Sequence, residues 1–289
     1  MSYRAMDFPL RALAAIVSAT AVVSAATPAA PSIGAKAALL VNANTGEVLF
    51  SRNADTAYPP ASTTKLLTAL LVYERVGLRG TFAVADVDTR VEPSHVPLRT
   101  GETVSVRDMV QSLLIGSDND TAMALARYVA GSMPRFVNIM NARAKELGCA
   151  STTFKNPNGL PAPGQRTTCQ DLMRIFNNVL AVPSLRSICE MKGFYLSTDV
   201  GKQWVKNHNR LLGQYPGMGP AKTGWTVSSR HTFAAAAKRG DVELRLTLLS
   251  SPDKWSDSRA LFDWGFARAG VEPPKKSVRS GSSKASTGS

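Results

Sequence analysis

The sequence predicts an α/β fold: an antiparallel sheet flanked by helices, with a helical subregion inserted and a single domain in all. Three observations carry this reading. Hairpin signals stand at both ends of the chain, four helical patterns fill the middle, and one more helical run follows the late strands. A length of 289 residues suits one large domain.

Taken in order, residues 1–26 have the form of an export signal. Arg4 and Arg11 precede a short apolar run from Leu13 to Val23, and Val23-Ser24-Ala25 offers small residues for cleavage. Residues 27–34 are expected to be a linker and 35–270 the folded body. Ala35 to Asn42 and Gly46 to Ser51 are apolar runs joined around Asn44-Thr45-Gly46, a hairpin signal. Pro59 and Pro60 stop any helix from extending backward, so Ser62 opens one whose apolar face is Leu66, Ala69, Leu70 and Tyr73. Helical patterns follow over Ser105–Ile115, Asp118–Ala130, Met133–Leu147 and Thr168–Leu180, punctuated by Gly116, Gly131 and Gly148. His231–Lys238 and Val242–Ser250 flank Arg239-Gly240-Asp241 as a second hairpin, and a final helix spans about Asp253 to Ala269. Residues 271–289 hold six Ser and almost nothing apolar, with Lys275, Lys276, Arg279 and Lys284 against Glu272, so a disordered basic tail is expected.

Composition narrows the function. A net charge of +13 is compatible with nucleic acid, an anionic surface or simple solubility. Export, and the lack of a basic stripe interleaved with aromatics, argue against nucleic acid. Three Cys without a C-x-x-C pair exclude a disulfide scaffold and make a zinc site unexpected. Cys149 and Cys189 are a conceivable pair, but structural roles are expected for these two and for Cys169. No metal or cofactor is expected.

The chemistry rests on three short motifs. Metalloprotease, Walker, dinucleotide-binding and G-x-S-x-G patterns are absent, and His95, His208 and His231 have no neighbours suggesting a triad. Serine activation must therefore come from elsewhere. Ser62-Thr63-Thr64-Lys65 places a hydroxyl and an amine at i and i+3, on one helical face. A lysine is a base only when neutral, and burial or a second cation lowers its pKa. Ser117-Asp118-Asn119 stands at a helix junction, and Lys222-Thr223-Gly224 supplies a second cation. Each triplet alone is weak. In this order, S-x-x-K, S-D-N and K-T-G form the signature of penicillin-binding proteins and class A β-lactamases.

On those motifs the chain resembles the low-molecular-mass penicillin-binding proteins, the D-alanyl-D-alanine carboxypeptidase family of serine peptidases. The likeness extends through residues 42–50, 59–74, 101–131, 152–168, 221–226 and 261–266. It implies Ser62 as nucleophile, Lys65 as its base, Ser117 as proton carrier to the departing amine and Asn119 as the group orienting Lys65 and the substrate amide. It further implies that Lys222 and Thr223 bind the terminal carboxylate, that Gly224 lets the peptide lie along the strand, and that Ser62 and Trp225 supply the oxyanion-hole N–H groups. The implied partners are peptidoglycan stem peptides, with β-lactams as covalent inhibitors, in the periplasm or the extracytoplasmic envelope. The basic tail would give electrostatic contact with an anionic envelope.

Two departures bear on specificity. Ser228-Ser229-Arg230-His231 replaces the family's small Ala-Gly stretch, and Lys254 stands where an Arg usually helps hold the carboxylate, with Arg230 or Arg259 as substitutes. No Glu lies between Glu146 and Glu190, so the deacylating Glu of class A β-lactamases has no counterpart. Carboxypeptidase is the expected activity. A DD-endopeptidase is the alternative, followed by a β-lactam-sensing or wall-binding module without turnover.

Overall fold

The computed structural model describes residues 29–90, 96 and 98–271. The export signal, the start of the linker, His95 and all but the first residue of the basic tail lie outside the described residues.

Among the described residues, two antiparallel sheets and seven α-helices form the body. The larger sheet has the order β2-β1-β9-β8-β7, built from β1 (Ala37–Asn42), β2 (Val48–Arg52), β7 (Met218–Thr226), β8 (Arg230–Arg239) and β9 (Val242–Ser251). N- and C-terminal segments meet in it, because β1 pairs with both β2 and β9. Side chains alternate between two cores with the period of a strand. Along β8, Ala234 and Ala236 face one core while Phe233, Ala235 and Ala237 face the other. The first core is covered by α1 (Lys65–Val76), α2 (Val106–Ile115), α3 (Asn119–Ala130), α4 (Met133–Glu146), α5 (Cys169–Leu180) and α6 (Pro183–Glu190). The second lies under α7 (Lys254–Arg268), whose Leu261, Phe262 and Phe266 pack on Leu40, Leu246 and Leu248.

Helix starts follow the expected caps. Ser105, Thr168 and Asp253 each accept a backbone N–H from the first turn of α2, α5 and α7. The expected helix at Ser62 begins instead as a 3-10 turn, Ala61–Thr64, that runs into α1.

The second sheet is absent from the sequence reading. Its order is β3 (Thr81–Ala83), β4 (Thr103–Ser105), β5 (Gly193–Thr198) and β6 (Gly201–Lys206). Three-residue strands are too short to show alternation, which explains β3 and β4. The linker reading also needs adjustment at its end: Ile33 is buried, and the Gly34 N–H donates to Asp257 Oδ1 at 2.8 Å. Cys149, Cys169 and Cys189 are all buried and free, so no Cys149–Cys189 bridge forms. No helix among the described residues is long and apolar enough to cross a membrane.

Candidate active site

The three motifs converge from three elements. Ser62 and Lys65 lie on the turn leading into α1, Ser117 and Asn119 at the α2–α3 junction, and Lys222 to Trp225 on β7. Strand β7 is the edge of its sheet, paired on one side with β8. It crosses close to the turn that carries Ser62. Thr232 on β8 donates its hydroxyl to the Pro60 carbonyl at 2.9 Å. A Cβ on Gly224 would stand 2.8 Å from the Ser62 nitrogen, so only glycine lets the strand approach this far.

Both serines sit on or beside left-handed backbone. Ala61 has φ 47° and Ser117 φ 67°, conformations that cost a non-glycine residue about 1–3 kcal/mol each. The surrounding structure holds them in place. Ser117 N–H donates to the Ser112 carbonyl, and Ser112 Oγ donates to Asp118, tying the junction to α2.

Lys65 is wholly buried. Its Nζ lies 3.0 Å from Ser62 Oγ, 2.7 Å from Asn119 Oδ1 and 2.9 Å from the Asn158 carbonyl. Burial first, and then the charge of Lys222, hold its pKa well below the ordinary lysine range, while Asp118 and Asp120 pull the other way. A neutral amine has two N–H bonds and one lone pair. The two carbonyl oxygens take both N–H bonds, which leaves the lone pair for the Ser62 hydroxyl.

Lys222 is also buried, with Nζ 2.7 Å from Ser117 Oγ and 3.0 Å from its neighbour Thr223's carbonyl. Burial pushes its pKa down to about 7, assisted by Lys254 and opposed by Cys189 and Asp118. Asp118 beneath them is pushed up to about 7, chiefly by burial.

Lys254 approaches from α7. It is nearly buried, with Nζ 2.9 Å from His231 Nδ1 and 4.4 Å from the centre of the Trp255 ring. Burial and then the charge of Arg210 lower its pKa to about 8. His231 pairs across the strands with Trp225, whose side chain is 58% exposed at the cleft's rim. Arg259 lies over the Tyr215 ring, and Arg210 is the guanidinium that acts electrostatically on Lys254 and His231.

Sequence reasoning missed the loop at residues 156–160. It supplies Asn158's carbonyl, and the Thr68 hydroxyl fixes it through the Pro157 carbonyl at 2.7 Å. Gly159 holds φ 87°, and any Cβ there would run into the Ala61 carbonyl. The Asn-Pro-Asn-Gly run was the available signal, since such residues build tight, self-bonded turns. Beyond this loop opens a groove of about 360 Å³, lined by Pro59, Gly159, Pro161, Pro163, Thr226 and Ser228.

Residues 24–252 match the model of the D-alanyl-D-alanine carboxypeptidase family, peptidase S11. D-alanyl-D-alanine carboxypeptidase DacB2 of Mycobacterium tuberculosis is 37% identical over 238 residues, 79% of this chain and 81% of that protein. DacC of Escherichia coli is 34% identical over 279 residues, 89% of this chain and 69% of that one. Among solved structures, a D-alanyl-D-alanine carboxypeptidase from Mycobacterium tuberculosis superposes with a TM-score of 0.79 at 33% identity, covering 87% of this chain and 96% of its own. The Streptomyces K15 DD-transpeptidase gives a TM-score of 0.79 at 27% identity, covering 82% and 99%. With most of its length matched to the family model and its three motifs gathered around one cleft, the chain belongs to the D-alanyl-D-alanine carboxypeptidase family of serine peptidases.

Proposed function

We propose that the chain removes the terminal D-alanine from peptidoglycan stem peptides through an acyl-enzyme on Ser62. The observation that carries this is the Ser62–Lys65 contact of 3.0 Å, made to an amine whose pKa burial and a second lysine hold well below the ordinary lysine range.

The protons balance along this path. Lys65 takes the Ser62 proton as Oγ attacks the carbonyl between the two D-alanines. The N–H groups of Ser62 and Trp225 receive the oxyanion. Ser117 gives a proton to the departing nitrogen and recovers one from Lys222. One proton then returns from Lys65 to Lys222, and Lys65 is neutral again when water attacks the ester. Lys65 accepts the water's proton and hands it to Ser62 Oγ as the shortened stem leaves.

Substrate placement follows from the same elements. An extended stem adds to the open edge of β7, as β-augmentation does elsewhere. Its carboxylate meets Thr223 and Lys222, with Lys254 behind them, while Asn119 faces the amide. The remainder of the stem enters the proline-lined groove. A β-lactam would occupy the same place and acylate Ser62. The chain works outside the cytoplasm, with residues 1–26 as export signal, 35–270 as catalytic domain and 271–289 holding it electrostatically to an anionic envelope.

The test is mass analysis of a pentapeptide stem and of cross-linked muropeptide after incubation, alongside labelling by a tagged penicillin. Loss of one D-alanine and a label confined to Ser62 are expected. Split cross-links without D-alanine release would mark an endopeptidase, and a label retained by Ser62→Ala would overturn the assignment of the nucleophile.

A further inference from the structure

The outward face of the β5–β6 hairpin is unlike the rest of the surface. Tyr195 and Trp204 pair directly across the strands and are 64% and 52% exposed. Their rings meet edge to face, with centroids 4.9 Å apart and planes at 62°. The indole does not project from the hairpin. A Cβ on Gly193 would stand 2.5 Å and 2.9 Å from two atoms of its six-membered ring, so the ring lies down over the missing side chain. Lys202 and Lys206, both exposed, flank Trp204 at alternate positions and therefore share its face. An exposed aromatic pair in an aqueous protein is a binding feature before it is anything else.

The hairpin is fixed to the catalytic cleft. Val205, on its inner face, packs so closely on Gly116 that a Cβ there would come within 2.7 Å of it, and Gly116 immediately precedes Ser117. Just past β6, His208 N–H donates to the Ile115 carbonyl at 3.3 Å, and Asn207 Nδ2 donates to the Met191 carbonyl at 2.8 Å. A ligand on the outer face is thus held at a constant distance from the S-D-N junction.

We propose that this face is a saccharide platform that binds the glycan strand while a stem attached to that strand occupies the cleft. The proposal rests on the stem-peptide reading above. A flat, half-exposed indole offers its face to the C–H side of a pyranose ring. The edge-on tyrosine fixes the plane, and the two lysines meet carboxylates of neighbouring stems. A lipid surface is the competing occupant for aromatics with lysines. It calls for apolar side chains that project, whereas this indole is pinned flat by Gly193 and Tyr195. Continuity with the cleft also favours the glycan, because the stem and the sugars to which it is attached are one molecule.

The test compares two substrates of the full chain: a free pentapeptide stem, and uncross-linked glycan strands bearing the same stem. Trp204→Ala and Tyr195→Ala are expected to lower kcat/KM on the glycan-borne stem about tenfold through KM, the scale of one lost aromatic contact. Hydrolysis of the free stem and acylation by penicillin stay unchanged. Gly193→Val, which keeps the indole but lifts it, gives the same selective loss. Separately, a β-1,4-linked N-acetylglucosamine oligomer should perturb tryptophan fluorescence in the wild type and not in Trp204→Ala. Equal effects on both substrates, or none on either, would overturn the platform. So would binding to anionic phospholipid vesicles that Trp204→Ala abolishes while oligosaccharide binding is absent. If the wild type leaves the free stem intact, the stem-peptide reading fails, and the fluorescence titration still judges the platform.

Discussion

The helical half of the cleft and its sheet edge each bury one lysine, and the two are put to different use. Lys65, from the helical side, has two carbonyl-type acceptors and a serine around it. Lys222, from the sheet, has a serine hydroxyl, a backbone carbonyl and the thiol of Cys189 nearby. Burial is the main cause of the lowered pKa in both. The separation between them comes from position, since the charge of Lys222 pushes Lys65 further down. Lys222 therefore exchanges its proton near pH 7, and Lys65 is held well below the ordinary lysine range by burial and by the charge of Lys222.

The strongest way to break this division is to remove the base. Lys65→Ala should lower penicillin acylation by about 10³–10⁴-fold while the protein stays folded, since both activation of Ser62 and its positioning are lost. Lys65→Arg should be equally inactive, because a guanidinium keeps its proton. Acylation followed by mass spectrometry, with circular dichroism as the folding control, checks both.

Removing the sheet-side lysine separates charge from bulk. Lys222→Met should cost about 10²-fold in acylation, and the acid limb of the pH profile should move upward. Without the second cation Lys65 holds its proton to higher pH, so less neutral base exists at any given acid pH. Linkage gives the sign of the effect of pH on stability in the wild type. The folded pKa of about 7 lies below the ordinary 10.5, so between these values the unfolded chain binds more protons and stability rises with pH. Asp118 acts in the opposite window. Its folded pKa of about 7 lies above 3.8, so its contribution to stability falls as pH rises through that range. A minimum near neutrality in thermal unfolding, made shallower on its alkaline side by Lys222→Met while Lys65 and Lys254 keep part of the rise, is the expected signature.

How the two halves differ in sequence explains what could be read there. The helical half advertises itself: Leu66, Ala69 and Leu70 recur at helical spacing, and Ser105 and Thr168 are visible caps. The ends of α2, α3, α4, α5 and α7 fell within a residue of the expected ones for that reason, whereas α6 had no expected counterpart. The sheet half is less explicit. Strand β7 contains Gly219 and Pro220 ahead of the motif and Gly224 within it, so it gives no alternating pattern, and only Lys222-Thr223-Gly224 marks it. Strands β3 and β4 were invisible for their length. The three motifs were legible as local triplets, but their meeting is a long-range fact. The Asn158 carbonyl could not be found by residue type at all, because a backbone oxygen carries no side-chain signature. Arg210 and the Lys254–His231 contact depend on how α7 packs against β8, which no local pattern encodes.

A smaller effect probes the loop that completes the helical side. Gly159→Ala forces a Cβ toward the Ala61 carbonyl at a left-handed φ of 87°, so the loop must shift and carry the Asn158 carbonyl away from Lys65. The expected cost is about 2 kcal/mol of stability and about tenfold in acylation, with substrate affinity little changed. Retention of full acylation at reduced stability would mean that the Asn158 contact holds the loop and does nothing for the base.

The smallest effect belongs to Lys254, which lies behind the sheet-side carboxylate site. Its pKa of about 8 means that it carries a charge at neutral pH and loses it just above. A substrate carboxylate would then bind less well as pH rises past 8, and KM should climb there by a few-fold, separately from the fall in kcat as Lys222 loses near pH 7 the proton it lends to Ser117. Lys254→Arg keeps its charge throughout and should flatten that rise, provided His231 makes room for the wider guanidinium. Lys254→Ala should raise KM about fivefold below pH 8 and leave no further climb above it, as befits one partly screened charge. Steady-state kinetics on a pentapeptide stem between pH 6 and 9 distinguishes the three proteins. An alkaline rise in KM that persists unchanged in Lys254→Ala would shift the carboxylate contact to Lys222 alone. Both buried lysines would then serve the acyl transfer, and the sheet edge would bind its substrate with the cation that also drives the base.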